Sequence, residues 1–266
     1  MHTETENRTS AGKIVFIIFL ILLSAFCIYY ATLSILSPVR KLAELKKEYV
    51  SKPIDNFPKE DQIFSDSNYL NLLKEKAYTQ SKVAMAETDS IYLTINLADS
   101  TANVEISGVV VHTSKINEIS MSRIFRKGNE NIIFSLISTP FIISKSFATI
   151  KKEPVLIKMA PKDTSEYKPS IMPDTSITEP VNYIMEMTNG TRIYVYQEEK
   201  EKSQDKMSAL KFDLSYRLDD TWRSLKNAFV FKVPEYHPFI KIKLPRADAK
   251  IIYRALPKNG QIAVFW

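Results

Sequence analysis

Chemistry by a thiolate is closed to this chain outside one apolar segment. Cys27 is the single cysteine of 266 residues and lies inside the uncharged run Ile14–Leu36. An intramolecular disulfide, a Cys-ligated zinc site and a soluble cysteine nucleophile are therefore excluded. The three histidines, His2, His112 and His237, are too scattered for a metal motif such as HExxH, and His112 and His237 read as structural. No GxSxG occurs, and no serine–lysine pair comes with a recognisable partner. Five glycines, with neither GxGxxG nor GxxxxGK[ST], argue against a phosphate loop, so no nucleotide, flavin, nicotinamide or metal cofactor is expected. One pattern has binding potential. In KIKL, Lys241 and Lys243 share one face of a strand, while Ile242 and Leu244 share the other. Those lysines either show an ordinary half-buried strand to water or line a groove for an anionic ligand.

The element that carries such a site to its place is legible first at the N-terminus. Ile14–Leu36 is 23 residues without a charge, which as a helix reaches roughly 30–35 Å and suffices for a bilayer core. It exceeds the ~7–15 residues of a signal-peptide apolar region. An uncleaved single-pass helix in a bacterial inner membrane is the expectation, with residues 1–13 as a short tail. Ser37–Val50 continues as an amphipathic helix with Val39, Leu42, Leu45 and Tyr49 on one face, a stalk able to pair with a second copy. Residues 52–66, with Pro53 and Pro58, complete a juxtamembrane linker over 37–66. Orientation is contested. Arg40, Lys41, Lys46, Lys47 and Lys52 outnumber Arg8 and Lys13, which favours a cytoplasmic C-terminal side, yet long C-terminal domains are often translocated regardless of charge.

Residues 67–266 read as one soluble domain. A hydrophobic content of 45% is that of a folding chain, and the net charge of +6 is spread along it rather than gathered in a nucleic-acid stripe. Ser65–Glu87 predicts a helix. Ser90–Leu97 and Val104–His112 predict strands with ADSTAN as the turn, and Asn131–Ser144 is β-prone up to a break at Pro140. Pro154–Ala160 predicts a strand and Ala160–Pro180 a long loop. Asn189-Gly190 predicts a type I′ hairpin, and Leu210–Arg217 alternates as a strand after a solvated loop at Glu198–Lys206. Asp219–Phe229 predicts a short helix, and the last 26 residues a strand, a helix and a final strand. The expected class is β-dominated α+β, a sandwich or open barrel with short helices behind one transmembrane helix.

The C-terminal stretch resembles the closing motif of L,D-transpeptidases, β-rich enzymes that cross-link peptidoglycan through a cysteine acyl-enzyme. Ile242, Lys243 and Leu244 stand where that family has I-R-L. Asp248 and Ala249 follow at its spacing, then Tyr253, Pro257 and the strand residues Ile262 and Val264. The departures fall on the catalytic positions. Lys241 occupies the nucleophile's place, Ile240 that of the preceding glycine and Pro238 that of the serine. The H-G motif of the family is missing upstream, and His237 is offset from it. Acyl transfer by this route needs a thiolate and an adjacent base. The resemblance therefore implies a catalytically inactive domain, with Lys241, Lys243, His237 and Asp248 marking a degenerate site. It would face the periplasm and bind peptidoglycan or an envelope protein as scaffold or regulator. Two alternatives stand beside it: a cytoplasm-facing interaction domain tethered to the membrane, and an enzyme with an unrecognised nucleophile.

Overall fold

The computed structural model describes residues 4–50, 67–127, 130–152, 179–199 and 203–266. The strand expected at Pro154–Ala160, the linker 51–66 and almost all of the loop Ala160–Pro180 lie outside these. The chain divides into two compact units, one formed by 1–47 with 216–236 and the other by 48–215 with 237–266.

In the first unit, helix α1 (Glu4–Val50) runs without a break through the apolar run and the stalk, so residues 4–13, expected as a tail, are helical. Pro38 sits inside it, where it withholds one backbone donor. The stretch Gly12–Leu45 is long and apolar enough to cross a membrane.

The second unit is built on β1 (Ile91–Asn96), β2 (Thr101–Ile106), β3 (Val109–Lys115), β4 (Glu118–Met121), β5 (Phe141–Ala148), β6 (Asn182–Met187), β7 (Arg192–Gln197), β8 (Phe239–Leu244) and β9 (Gln261–Phe265). They form a nine-stranded sheet in the order β3-β2-β1-β9-β5-β6-β7-β8-β4. The β1–β9 and β7–β8 pairs are parallel and the rest antiparallel. Laid flat, the two edges would stand roughly 38 Å apart at ~4.8 Å per strand. Yet β3 and β4 are joined by only Ile116 and Asn117, a span of at most about 10 Å. The sheet must therefore curl until its edges meet. The neighbouring ladders run right up to this link: Ile116 N–H donates to Ser100 O, extending the β2–β3 pairing (2.8 Å), and Asn117 N–H donates to Lys243 O, extending β4–β8 (3.0 Å). The result is a barrel-like curl whose edge strands, β3 and β4, are joined by that short link.

Helix α6 (Arg246–Ala255) lies within the curl. Asp248 meets His112 and Ser114 on β3, while Tyr253 stacks on Tyr183 of β6 with ring centroids 4.9 Å apart. Those strands are five places apart in the order, ~24 Å on a flat sheet, whereas Asp248 and Tyr253 differ by only ~7.5 Å of helix rise. Strand alternation agrees. Leu93, Ile95, Val104, Ile193, Val195, Ile240, Ile242 and Val264 are buried and fall on the α6 side in the observed registers. Outside, helix α2 (Ser67–Ala86) covers β1 and β9 through Met85, Tyr92 and Ala263. Helix α4 (Glu130–Ser138) packs Ile133 and Ile137 against Ala77 of α2; the short helix α3 (Arg123–Lys127) precedes it.

Several expectations are corrected. The molecule mixes helix and sheet rather than being dominated by β structure. Asn131–Ser144 is α4 followed by β5, because Ile133, Phe134 and Ile137 repeat at helical spacing and bury one face. Val104–His112 is not one strand but parts of two. Ser107 (φ 48°) and Gly108 (φ 82°) make the tight turn between them, the pair of positive angles that a type I′ hairpin requires. At Asn189-Gly190 only Gly190 is left-handed (φ 80°). Gly190 N–H donates to Met187 O, and Met187 N–H to Thr191 O, so this hairpin closes by a type I turn with a glycine bulge instead. Leu210–Arg217 is not a strand. It belongs to helix α5 (Ser203–Phe229), which also absorbs the end of the expected loop and the short helix at Asp219–Phe229. Met207, Leu210, Leu214, Leu218 and Trp222 continue at spacings of three and four, a helical period that an eight-residue window cannot tell from alternation.

Burial sets an alkaline limit on the barrel. Burial pushes Tyr183 well above the ordinary tyrosine value of 10.0 and Tyr78 up to about 12; Tyr92 is raised by burial, with Glu105 adding to it. Above pH 10 the unfolded chain thus releases protons that the folded chain keeps, so stability present below that pH falls as pH rises. Lys152, lowered by burial, opposes this with a single group. Thermal melts between about pH 9 and about pH 12 should show a falling Tm, with a shallower fall in Tyr183→Phe. A Tm level across that range would contradict the assignment.

Candidate functional site

The outward face of β7 and β8 carries a ladder of aromatic and basic residues. Parallel register sets Tyr194 beside Lys241 and Tyr196 beside Lys243. Both side chains of each pair point away from α6, because their neighbours Ile193, Val195, Ile240 and Ile242 fill the barrel. Lys241 Nζ lies 5.1 Å from the ring centroids of both Tyr194 and Phe239, within cation–π range. The Tyr194 and Tyr196 rings lie nearly parallel, with centroids 6.4 Å apart. Across β8, Lys243 Nζ donates to Glu118 Oε2 of β4.

The first half of α5 roofs this ladder. Phe212 stacks on Phe147 of β5 (5.2 Å), and Tyr196 Oη donates to Asp213 Oδ1 (2.6 Å). Between roof and ladder lies a cleft of about 320 Å³, walled by Lys206, Leu210 and Asp213 of α5 and by Asn182, Tyr196, Lys241 and Lys243 of the barrel. That volume is at the small end of ligand sites. Lysine ammoniums beside tyrosine faces suit a carboxylate or phosphate carried on a flat or ring-shaped group. The cleft has no thiol, since Cys27 is the only one. Among the described residues no group of His, Cys, Asp and Glu could hold a metal ion.

The four residues marked by the sequence do not converge. Lys241 and Lys243 share the cleft. His237 ends at the β6–β7 hairpin, with Nδ1 3.0 Å from Gly190 O. Asp248 lies on the opposite side of the sheet, in the first turn of α6, where it accepts a hydrogen bond from Ser114 Oγ (2.9 Å) and faces His112 Nε2 (3.1 Å). It sits near the positive end of the helix, where a carboxylate is stabilised. Glu199 holds the same helix end, its carboxylate accepting from Arg246 N–H. Tyr194, Tyr196, Lys206 and Asp213 were missed. The alternation in YVY already placed the two tyrosines on one face, but Asp213 was hidden by reading its helix as a strand. The chain matches no family model and no curated protein.

Proposed function

We propose that this protein is a single-pass membrane-anchored binding protein of the bacterial envelope, a catalytically inactive relative of the L,D-transpeptidases that holds an anionic partner in the α5 cleft. One observation carries this reading: Lys241, in the register of the family's nucleophile, lines a cleft with Lys243 and Tyr196, and Tyr194 lies beside it on β7. Peptidoglycan stem peptides, which bear carboxylates, suit such a cleft, and an acidic segment of an envelope protein would engage the same lysines. The domain then acts as scaffold or regulator rather than as an enzyme.

Two measurements test it. Alkaline phosphatase fused after Trp266 should be active, reporting a periplasmic domain. Isolated sacculi should then retain the full-length protein, and Lys241→Ala or Lys243→Ala should each weaken retention about tenfold, the loss of one charge-assisted contact. A stable but inactive fusion would favour the cytoplasm-facing tethered domain that the basic flank Arg40–Lys52 supports. Undiminished retention in the double variant would remove the cleft as the binding site.

A further inference from the structure

The unit formed by α1 and residues 216–236 has a feature that an anchor alone does not need. From Ile14 to Leu23 the apolar run of α1 is exposed. Beyond it one helical stripe is covered: Phe26, Tyr29, Tyr30 and Leu33 are half-buried and Ser37 is buried. The cover is the end of α5 and the chain that follows. Phe229 stacks on Phe26 (centroids 5.3 Å apart, planes 23° apart), and Phe231 meets Tyr29 edge-on at 5.8 Å. Tyr29 Oη donates to Ala228 O (3.2 Å), and Ser37 Oγ donates to Pro234 O (2.6 Å). Phe26 lies ten residues before Leu36, ~15 Å along the helix, about half of a ~30 Å hydrocarbon core.

We propose that the turn Phe229-Val230-Phe231 is a second membrane-embedded element, a wedge inserted among lipid acyl chains beside α1. The inference rests on reading α1 as a membrane span, since whatever covers Phe26 and Tyr29 must share their depth. Side chains, backbone and charge each fit it.

The three side chains of the turn are apolar and, beyond their contacts with α1, largely bare: Phe229 is 66% exposed, Val230 62% and Phe231 83%. In water this would be a costly apolar patch; in acyl chains it is a contact surface. Trp222, seven residues before Phe229 and ~10 Å back along the helix, is equally exposed.

Backbone donors at that depth must find partners within the protein. Here Val230 N–H and Lys232 N–H donate to Asn227 O, and Phe231 N–H donates to Ala228 O, a Schellman closure of the helix. Its left-handed position, which glycine fills without steric cost, is taken by Phe231 (φ 54°). A bulky ring held there against backbone preference points to a use for the ring.

The charges lie where they can reach the headgroups. Arg223 and Asp219 pair with each other at 2.8 Å. Lys232 shares a cleft with Ser37, Arg40, Lys41, Glu44 and Glu235 just beyond the end of the apolar run, where Arg40 and Lys41 pair with Glu44. Lys226, one turn from Phe229, has a stem long enough to snorkel outward.

Quenching by brominated acyl chains tests the depth. Full-length protein is reconstituted into phosphatidylcholine–phosphatidylglycerol vesicles, with a fluorophore on native Cys27, on Val230→Cys in a Cys27→Ser background, or on Ser90→Cys in that background as an aqueous control. Loss of emission at both 27 and 230, with none at 90, is the expected result. Loss at 27 without loss at 230 overturns the wedge and leaves the anchor standing. Emission unchanged at all three sites overturns the span, and the wedge with it.

Discussion

Tyr183→Ala should lower the folding free energy by about 3–5 kcal/mol, while Tyr183→Phe should leave it unchanged or raise it. The ring is fully buried on the inner face of β6, stacked on Tyr253 of α6, and so joins the barrel wall to the helix that fills the barrel. Truncation empties a space that the sheet cannot collapse into, because β6 is tied to β5 and β7 on its two sides by hydrogen bonds. The hydroxyl contributes differently. It is buried and meets no hydrogen-bond partner among the described residues. Deleting it removes an unpaired polar group, worth up to about 1–3 kcal/mol. Denaturant melts of the detergent-solubilised protein would measure both. A Phe variant as damaged as the Ala variant would mean that the hydroxyl is bonded after all.

Lys82→Met should cost about 2–3 kcal/mol, less than the ~3–5 of an enclosed pair because Lys82 is 36% exposed. Its Nζ lies 3.2 Å from Oε1 of Glu105, whose side chain is wholly buried under α2. Thr94 Oγ1 donates to the same oxygen at 2.6 Å. With the lysine gone, a carboxylate remains under the helix with the neutral hydroxyls of Thr94 and Tyr92 and, among the described residues, no cation paired with it. Adding Glu105→Gln should restore most of the loss, since an amide oxygen still accepts from Thr94 and needs no cation. A double-mutant cycle reads the coupling directly. If the second substitution deepens the loss instead, the pair is not what secures α2 to the barrel.

Local pattern accounts for a good part of what was legible beforehand. A run of 23 uncharged residues can hardly be other than a long apolar helix, and the strand within Ser90–Leu97, the paired strands about Asn189-Gly190 and the terminal strand–helix–strand all appear where expected. In each, the hydrophobic period and the turn chemistry agree over the whole element. Asn131–Ser144 and Leu210–Arg217 failed for one reason: β-branched or alternating residues in a short window satisfy both periods, and the choice is made by what the segment packs against. For α4 that is Ala77 of α2, and for α5 it is Phe147 and Tyr196 of the barrel.

The sequence by itself determined the composition of the chemistry: one cysteine inside an apolar run, no glycine-rich phosphate motif, a long apolar helix, and two lysines on one face of β8. Only the tertiary structure decided which of those groups meet. Asp248 follows Lys243 closely along the chain, yet the sheet lies between them, and its partners His112 and Ser114 come from more than 130 positions away. Lys241 and Lys243 gain their tyrosines and their roof from β7 and α5, and Phe229 gains its place on α1 across some two hundred residues. Alternation along a strand tells which side chains share a face. Which face becomes the inside is known only once the sheet has curled around α6.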